Sequence, residues 1–235
     1  MRFLSLFSGI GGFDLGLERA GMVCAGQVEI NPFAQLILAK HWPDVKRVSD
    51  VREVKGDEFG PIDLICGGPP CQPYSRAGER RGQDDDRHLW PEMARILRTI
   101  RPSWVVIENV ADLVSLGLDD MLFDLERSGY TAQAFIIPAI ALDARHRRDR
   151  LWIVSHLGGS RLPFPQQEVS PGTTTWRPNQ RATIAKFCRW PTEPDVLRVA
   201  HGVPHRVDRI RSLGSAVVPQ IPEMLGRAIL EIEAR

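Results

Sequence analysis

Three segments of this sequence carry residue types that could do covalent and proton-transfer chemistry together. The run Gly67-Gly68-Pro69-Pro70-Cys71-Gln72-Pro73-Tyr74-Ser75 directly follows an apolar stretch, 62–66. Two glycines and three prolines make a rigid turn, which would present Cys71 at the end of a buried strand. A cysteine held there is a nucleophile if cations or amide groups stabilise its thiolate. The alternative is a small buried hydrophobe, the reading given to Cys66 inside the apolar run. A second apolar run ends in Val106-Ile107-Glu108-Asn109-Val110. Glu108 would lie at the same sheet edge, and a carboxyl in a partly apolar pocket can keep its proton and deliver it. A capping or ion-paired glutamate is the plainer possibility. The third segment is Arg145-His146-Arg147-Arg148-Asp149-Arg150. Alternate residues of a strand share a face, so Arg148 and Arg150 are expected to face one anionic or carbonyl-bearing group together. A charged strand entry is the other reading.

A fourth segment looks like a ligand pocket. Residues 3–7 run into Ser8-Gly9-Ile10-Gly11-Gly12-Phe13-Asp14, where Gly9 and Gly11 allow a tight turn and close approach of backbone to a ligand. This is not the GxGxxG dinucleotide fingerprint, because Asp14 stands at its last glycine. Glu29 follows about 20 residues later at a strand end, placed to accept from ribose hydroxyls. Asp50, at a third strand end, could reach an adenine amino group.

These residues need elements to hold them. Short apolar runs at 3–7, 22–29, 62–66, 104–108, 132–137 and 151–155 read as strands buried on both faces. Helical patterns lie between them at 13–20, 33–41, 89–100 and 120–128, and a last one at 222–232. Alternating strand and helix predicts an α/β fold with an open, doubly wound, mostly parallel sheet. Its ligands would sit beyond the carboxyl ends of the strands. After residue 158 prolines become frequent and periodicity fades, which reads as a loop-rich insertion.

Composition narrows the class. At 235 residues, with 43% hydrophobic and 25% charged residues, the chain has the make-up of a globular protein with one good core. No apolar run has membrane-spanning length. Residues 1–7 are too short an apolar lead to read as a signal peptide. Four cysteines without a CxxC spacing argue against disulfides and against a zinc site. The expectation is a cytoplasmic monomer that uses no metal. Residues 1–144 hold 15 basic against 21 acidic residues, and 145–235 hold 15 against 8. The basic C-terminal part, rich in arginine, suits a polyanion, although a solvated surface gives the same count.

Taken in order, these residues resemble the cytosine-5 DNA methyltransferase family, in particular its short phage-type members. The resemblance rests on Phe7, Gly9 and Gly11, on Glu29, on Pro70-Cys71-Gln72, on Glu108-Asn109-Val110, on Arg148-Asp149-Arg150 and on Leu213-Gly214-Ser215-Ala216-Val217. It implies the S-adenosylmethionine-dependent methyltransferase fold and a double-stranded DNA substrate. It implies catalytic roles for Cys71, Glu108, Arg148 and Arg150, with Arg150 on the cytosine O2 and Arg148 on Glu108 or a phosphate. It implies cofactor contacts from Phe7, Gly9, Gly11, Glu29, Ile30, Asp50, Pro70, Leu89, Ser215 and Val217. Gln72 and Ser75 would meet the flipped nucleotide, and Thr174, Arg177 and Arg181 are candidate DNA contacts. The implied division is a catalytic, cofactor-binding domain at 1–157, a small target recognition region at 158–197 and a return to the catalytic domain at 198–235. Ser215 stands where the family usually has asparagine, and 158–197 is short for a recognition region. A catalytically weak or regulatory DNA-binding descendant and an RNA cytosine-5 methyltransferase remain as alternatives.

Overall fold

The computed structural model describes residues 1–70, 89–142, 144, 147–158 and 204–234. Cys71, Gln72, Ser75, Thr174, Arg177 and Arg181 lie outside the described residues, as does nearly all of the insertion after 158.

The apolar runs form strands because their alternate residues are claimed by two different cores. On β5 (Trp104–Val110), Val105 and Ile107 enter one cluster while Trp104 and Val106 enter the other. On β7 (Asp149–Leu157), Leu151 and Ile153 part from Trp152 and Val154 in the same way. The first cluster is covered by α3 (Trp90–Ile100) and α4 (Leu118–Arg127), and the second by α1 (Gly12–Ala20) and α6 (Gln220–Glu233). The result is a sheet with helices on both faces, the doubly wound arrangement expected from continuous apolar runs.

Seven strands run in the order β3-β2-β1-β4-β5-β7-β6. β1 (Arg2–Leu6), β2 (Val23–Val28), β3 (Arg47–Val48), β4 (Leu64–Gly67) and β5 are parallel. β7 is antiparallel to both of its neighbours, β5 and β6 (Tyr130–Pro138). The six expected strands are all present. Three features went unread in the sequence. β3 is only two residues long, which leaves no periodicity to detect. The direction of β7 cannot be told from an apolar run. A helix, α5 (Arg206–Ser215), buries none of its residues and so has no apolar stripe facing a core. α2 (Pro32–His41) completes the set, with the Asn31 side chain accepting from the Phe33 and Ala34 amides at its start.

α1 and α6 pack closely through Gly16. A β-carbon there would fall on the Pro219 carbonyl oxygen and within 2.7 Å of Pro222 Cγ. Alanine is the better helix former by roughly 1 kcal/mol, but overpacking of this kind costs about 1–3 kcal/mol. The clash is with backbone at the start of α6, so it should win. Gly16→Ala is expected to lower the stability measured by urea denaturation by about 1–2 kcal/mol, and a gain in stability would refute this packing.

Candidate active site

The site is built where β5 ends and β7 begins. Because the two strands are antiparallel, Val110 pairs with Arg150 and Glu108 with Trp152. Residues 108 and 150 are therefore diagonal neighbours on one face. Arg150 Nε lies 2.9 Å from Glu108 Oε1. Glu108 is 9% exposed. Burial pushes its carboxyl up to about 7, against the opposing pull of the Arg150 and then the Arg148 charge. Desolvation wins because two guanidinium groups do not replace the water that the carboxylate loses. The group can therefore hold or give up a proton near neutrality.

The second oxygen of Glu108 points toward the glycine–proline loop. A β-carbon on Gly68 would stand 3.2 Å from Oε2 and 3.2 Å from the Glu108 carbonyl oxygen. A side chain at position 68 would press on Glu108, which would have to shift by a few tenths of an ångström. The neighbouring Asn109 was quoted only as part of a motif, yet it fixes the loop. Its buried Nδ2 donates to the Pro69 carbonyl at 3.0 Å, while its Oδ1 accepts from the Val110 amide at 2.8 Å. A polar residue directly after an apolar strand run is the signal that could have marked it. Cys71 follows Pro70 two residues beyond this anchor.

Both arginine charges act on Glu108, but the two side chains bond to different partners. Arg148 has φ of +39° and precedes the first residue of β7, so strand alternation does not reach it. Its Nη2 donates to the Gly214 carbonyl at 2.9 Å and the Ala216 carbonyl at 2.7 Å. Arg150 takes Glu108 instead, and its Nη1 donates to the Asp149 carbonyl at 2.8 Å. In this structure Arg150 holds Glu108 and Arg148 holds the closing segment, whereas the resemblance sets Arg150 on the cytosine O2 and Arg148 on Glu108 or a phosphate.

Six of the expected cofactor residues meet around one cavity of about 120 Å³: Phe7, Glu29, Ile30, Asp50, Pro70 and Leu89. Phe7 has φ of +54°, a left-handed backbone that is uncommon outside glycine. Glu29 already ties the turn to β2, accepting from the Gly9 amide at 2.7 Å and the Asn31 amide at 2.7 Å. Each of its oxygens retains a further lone pair. Asp50 Oδ1 accepts from the Arg52 amide at 2.9 Å. The lining combines apolar side chains with the Glu29 and Asp50 carboxylates, hydrogen-bond acceptors that suit the hydroxyl and amino groups of a nucleoside. Gly11 and Val217 line a separate cleft of about 630 Å³, with Trp42 and Arg148. Ser215 lies in neither lining. It is exposed, and its hydroxyl donates back to the Arg211 and Ser212 carbonyls of α5.

Beneath the cofactor turn lies a carboxyl that the sequence reading used only to reject a fingerprint. Asp14 is fully buried. Its oxygens accept from Ser5 at 3.0 Å, Gln27 at 2.9 Å and Cys24 at 3.4 Å. Burial raises its proton affinity despite these bonds. Cys24 and Cys66 are also buried, and burial pushes both thiols far above their ordinary value. Neither can serve as a thiolate nucleophile near neutrality.

The raised Glu108 value has a stability consequence. A carboxyl whose folded value lies above its unfolded one favours the fold at low pH, and that contribution is lost as pH rises toward the folded value. Relative to Glu108→Gln, the native protein should therefore lose stability between pH ~4.5 and ~7, by on the order of 3 kcal/mol at most. Denaturation midpoints of both proteins across that range check it, and parallel curves would refute it.

Residues 1–189 match the family described as C-5 cytosine-specific DNA methylase. The chain is 33% identical over 178 residues to the Type II methyltransferase M.HgiCII of Herpetosiphon aurantiacus, covering 72% of this chain and 41% of that protein. It is likewise 33% identical over 178 residues to M.FnuDI of Fusobacterium nucleatum, covering 72% and 52%. A solved structure assigned as a DNA modification methyltransferase encoded within a prophage (E. coli) superposes with a TM-score of 0.59 at 27% identity, covering 73% of this chain and 52% of that one. The chain thus spans about half or less of the length of these relatives. Among the described residues no helix is long and apolar enough to cross a membrane, and no cluster of His, Cys, Asp or Glu could hold a metal ion. With the matched region extending over most of the sequence, the chain belongs to the C-5 cytosine-specific DNA methylase family.

Proposed function

We propose that the protein methylates carbon 5 of cytosine in double-stranded DNA, with Cys71 as covalent nucleophile and S-adenosylmethionine as methyl donor. The observation that carries this reading is Glu108. It is a buried carboxyl that titrates near 7, with one oxygen on Arg150 and the other against the loop that leads to Cys71. Carbon 5 of cytosine is a poor nucleophile. Addition of the Cys71 thiolate to carbon 6 breaks the ring's aromaticity, and a proton moved from Glu108 to N3 accepts the electron pair. Arg150 has guanidinium N–H groups beyond those given to Glu108 and Asp149, and these would hold the O2 oxygen. Bound S-adenosylmethionine would supply a methyl on a positively charged sulfur, the electrophile that the activated carbon 5 requires. Loss of the carbon 5 proton to a base then breaks the carbon 6–sulfur bond, releases the thiolate and returns the N3 proton to Glu108. The ring atoms are out of reach within a duplex, so the base must be flipped out. Phe7, Ile30, Pro70 and Leu89 would enclose the adenine, with Glu29 at the ribose and Asp50 at the amino group.

Cys71→Ser is expected to abolish transfer of labelled methyl to DNA while cofactor binding by calorimetry persists. Undiminished transfer would end the assignment. DNA carrying 5-fluorocytosine should trap a covalent adduct that survives denaturing electrophoresis, because fluorine cannot leave as a proton does. No adduct, alongside measurable cofactor binding, would instead mark a non-catalytic DNA-binding protein. Since Glu108 must carry the proton, kcat should fall as pH rises through about 7. That alkaline limb should be missing from the residual activity of Glu108→Gln, and its persistence in the variant would exclude Glu108 as the proton donor.

A further inference from the structure

Arg148 bonds through a single nitrogen to two carbonyls that otherwise have no helical partner. Gly214 lies in the last turn of α5, and Ala216 is the residue after its end. α5 contributes nothing to the core, so this contact is a principal constraint on where its end lies. The next residue, Val217, rests directly on α1. A β-carbon on Gly12 would stand 2.5 Å from the Val217 carbonyl oxygen and 2.9 Å from its Cβ. Gly12 opens α1 immediately after the Gly9–Gly11 turn, whose first amide is held by Glu29. A contiguous path therefore runs from the start of β7, through 214–217, to the cofactor turn. The backbone of Arg148 takes the left-handed conformation, and its carbonyl accepts from the Ala139 amide at 3.2 Å. Such conformations persist where the surroundings fix them, and they gather at functional sites. The guanidinium also lines the cleft that contains Gly11, Gly12 and Val217.

We propose that Arg148 is a positioning residue for the cofactor: it clamps the 214–217 segment onto α1 and so sets one wall of the larger cleft beside the Gly9–Gly11 turn, into which the methyl donor would extend, and it acts through that segment rather than on the DNA. This rests on the reading above that the pocket takes S-adenosylmethionine. Both Nη2 hydrogens are committed to these carbonyls, so the guanidinium cannot turn that edge toward a phosphate without releasing the segment. An ammonium group has three donors and could satisfy both carbonyls, so lysine should be the conservative replacement.

The test uses the full chain and the Arg148→Ala and Arg148→Lys variants. S-adenosylmethionine affinity is measured by calorimetry without DNA. Affinity for a mixed-sequence duplex is measured by fluorescence anisotropy over a salt series, and thermal unfolding is followed in parallel. Arg148→Ala is expected to weaken cofactor binding about tenfold, the loss of one good charge-assisted contact. Duplex affinity and its salt dependence should stay unchanged, and Arg148→Lys should restore most of the cofactor affinity. Unaltered cofactor binding by Arg148→Ala would overturn the proposal. A weaker duplex complex with a salt slope reduced by about one phosphate contact would overturn it in favour of a DNA contact. Parallel loss of both affinities with thermal stability, not rescued by lysine, would reduce the residue to a general structural role and overturn it too. If the native chain binds no S-adenosylmethionine, the cofactor reading itself fails, and that is seen before any variant is compared.

Discussion

Burying a carboxyl beside a guanidinium is expensive. The Glu108–Arg150 pair persists only because strand geometry delivers both groups to one spot. Taking either ion out of water costs several kcal/mol, recovered only with good geometry and further hydrogen bonds. The antiparallel placement of β7 supplies that geometry. In a wholly parallel sheet every strand would offer its last residues to the site edge. Reversing β7 offers its first residues instead, and sets Arg150 diagonally across from Glu108. The remaining mismatch between lost hydration and gained contacts holds the carboxyl near neutrality rather than fully ionised.

The surroundings make sense as what keeps that pair in place. Trp152, opposite Glu108 in the sheet, meets the Phe13 ring edge-on at 5.6 Å between centroids. Phe13 belongs to the first turn of α1, so the strand pair that holds Glu108 and the Gly9–Gly11 turn share one core. Asn109 links the end of β5 to the Pro69 carbonyl and with it the loop toward Cys71. Buried Asp14 joins α1 to β1 and β2 through Ser5, Cys24 and Gln27. Gln27 in turn accepts from Arg47 on β3 at 3.1 Å. Polar groups satisfied in this way specify one arrangement of the layers more sharply than apolar contacts alone.

Most of the frame was legible because short runs such as 104–107 are apolar at every position, as a strand covered on both faces requires. Glu108 was legible as the polar residue that ends such a run. Arg148 was misread because a two-residue period holds only inside a strand, and its left-handed backbone places it just outside. Ser215, placed by resemblance at the cofactor, donates its hydroxyl to carbonyls of its own helix. α5 escaped because Val207, Ile210 and Leu213, though helically spaced, are 64%, 43% and 53% exposed and seat on no core. Asp14 carried no pattern at all. Its burial follows from packing between distant elements, which local sequence does not encode.

The close seating of α6 on α1 has a bearing on how the chain is made. Phe3, Phe13 and Leu17 share their core with Ile221, Leu225 and Ile229, about 200 positions later in the sequence. A ribosome adding about 5–20 residues per second needs on the order of ten seconds or more to bridge that separation. Throughout that interval the side of this core that α6 later covers remains open, and the nascent polypeptide carries a sticky surface it cannot yet hide. Completion of this core is thus deferred until α6 has been made. Truncated translation products would keep the surface bare, which makes them natural clients for chaperones and proteases.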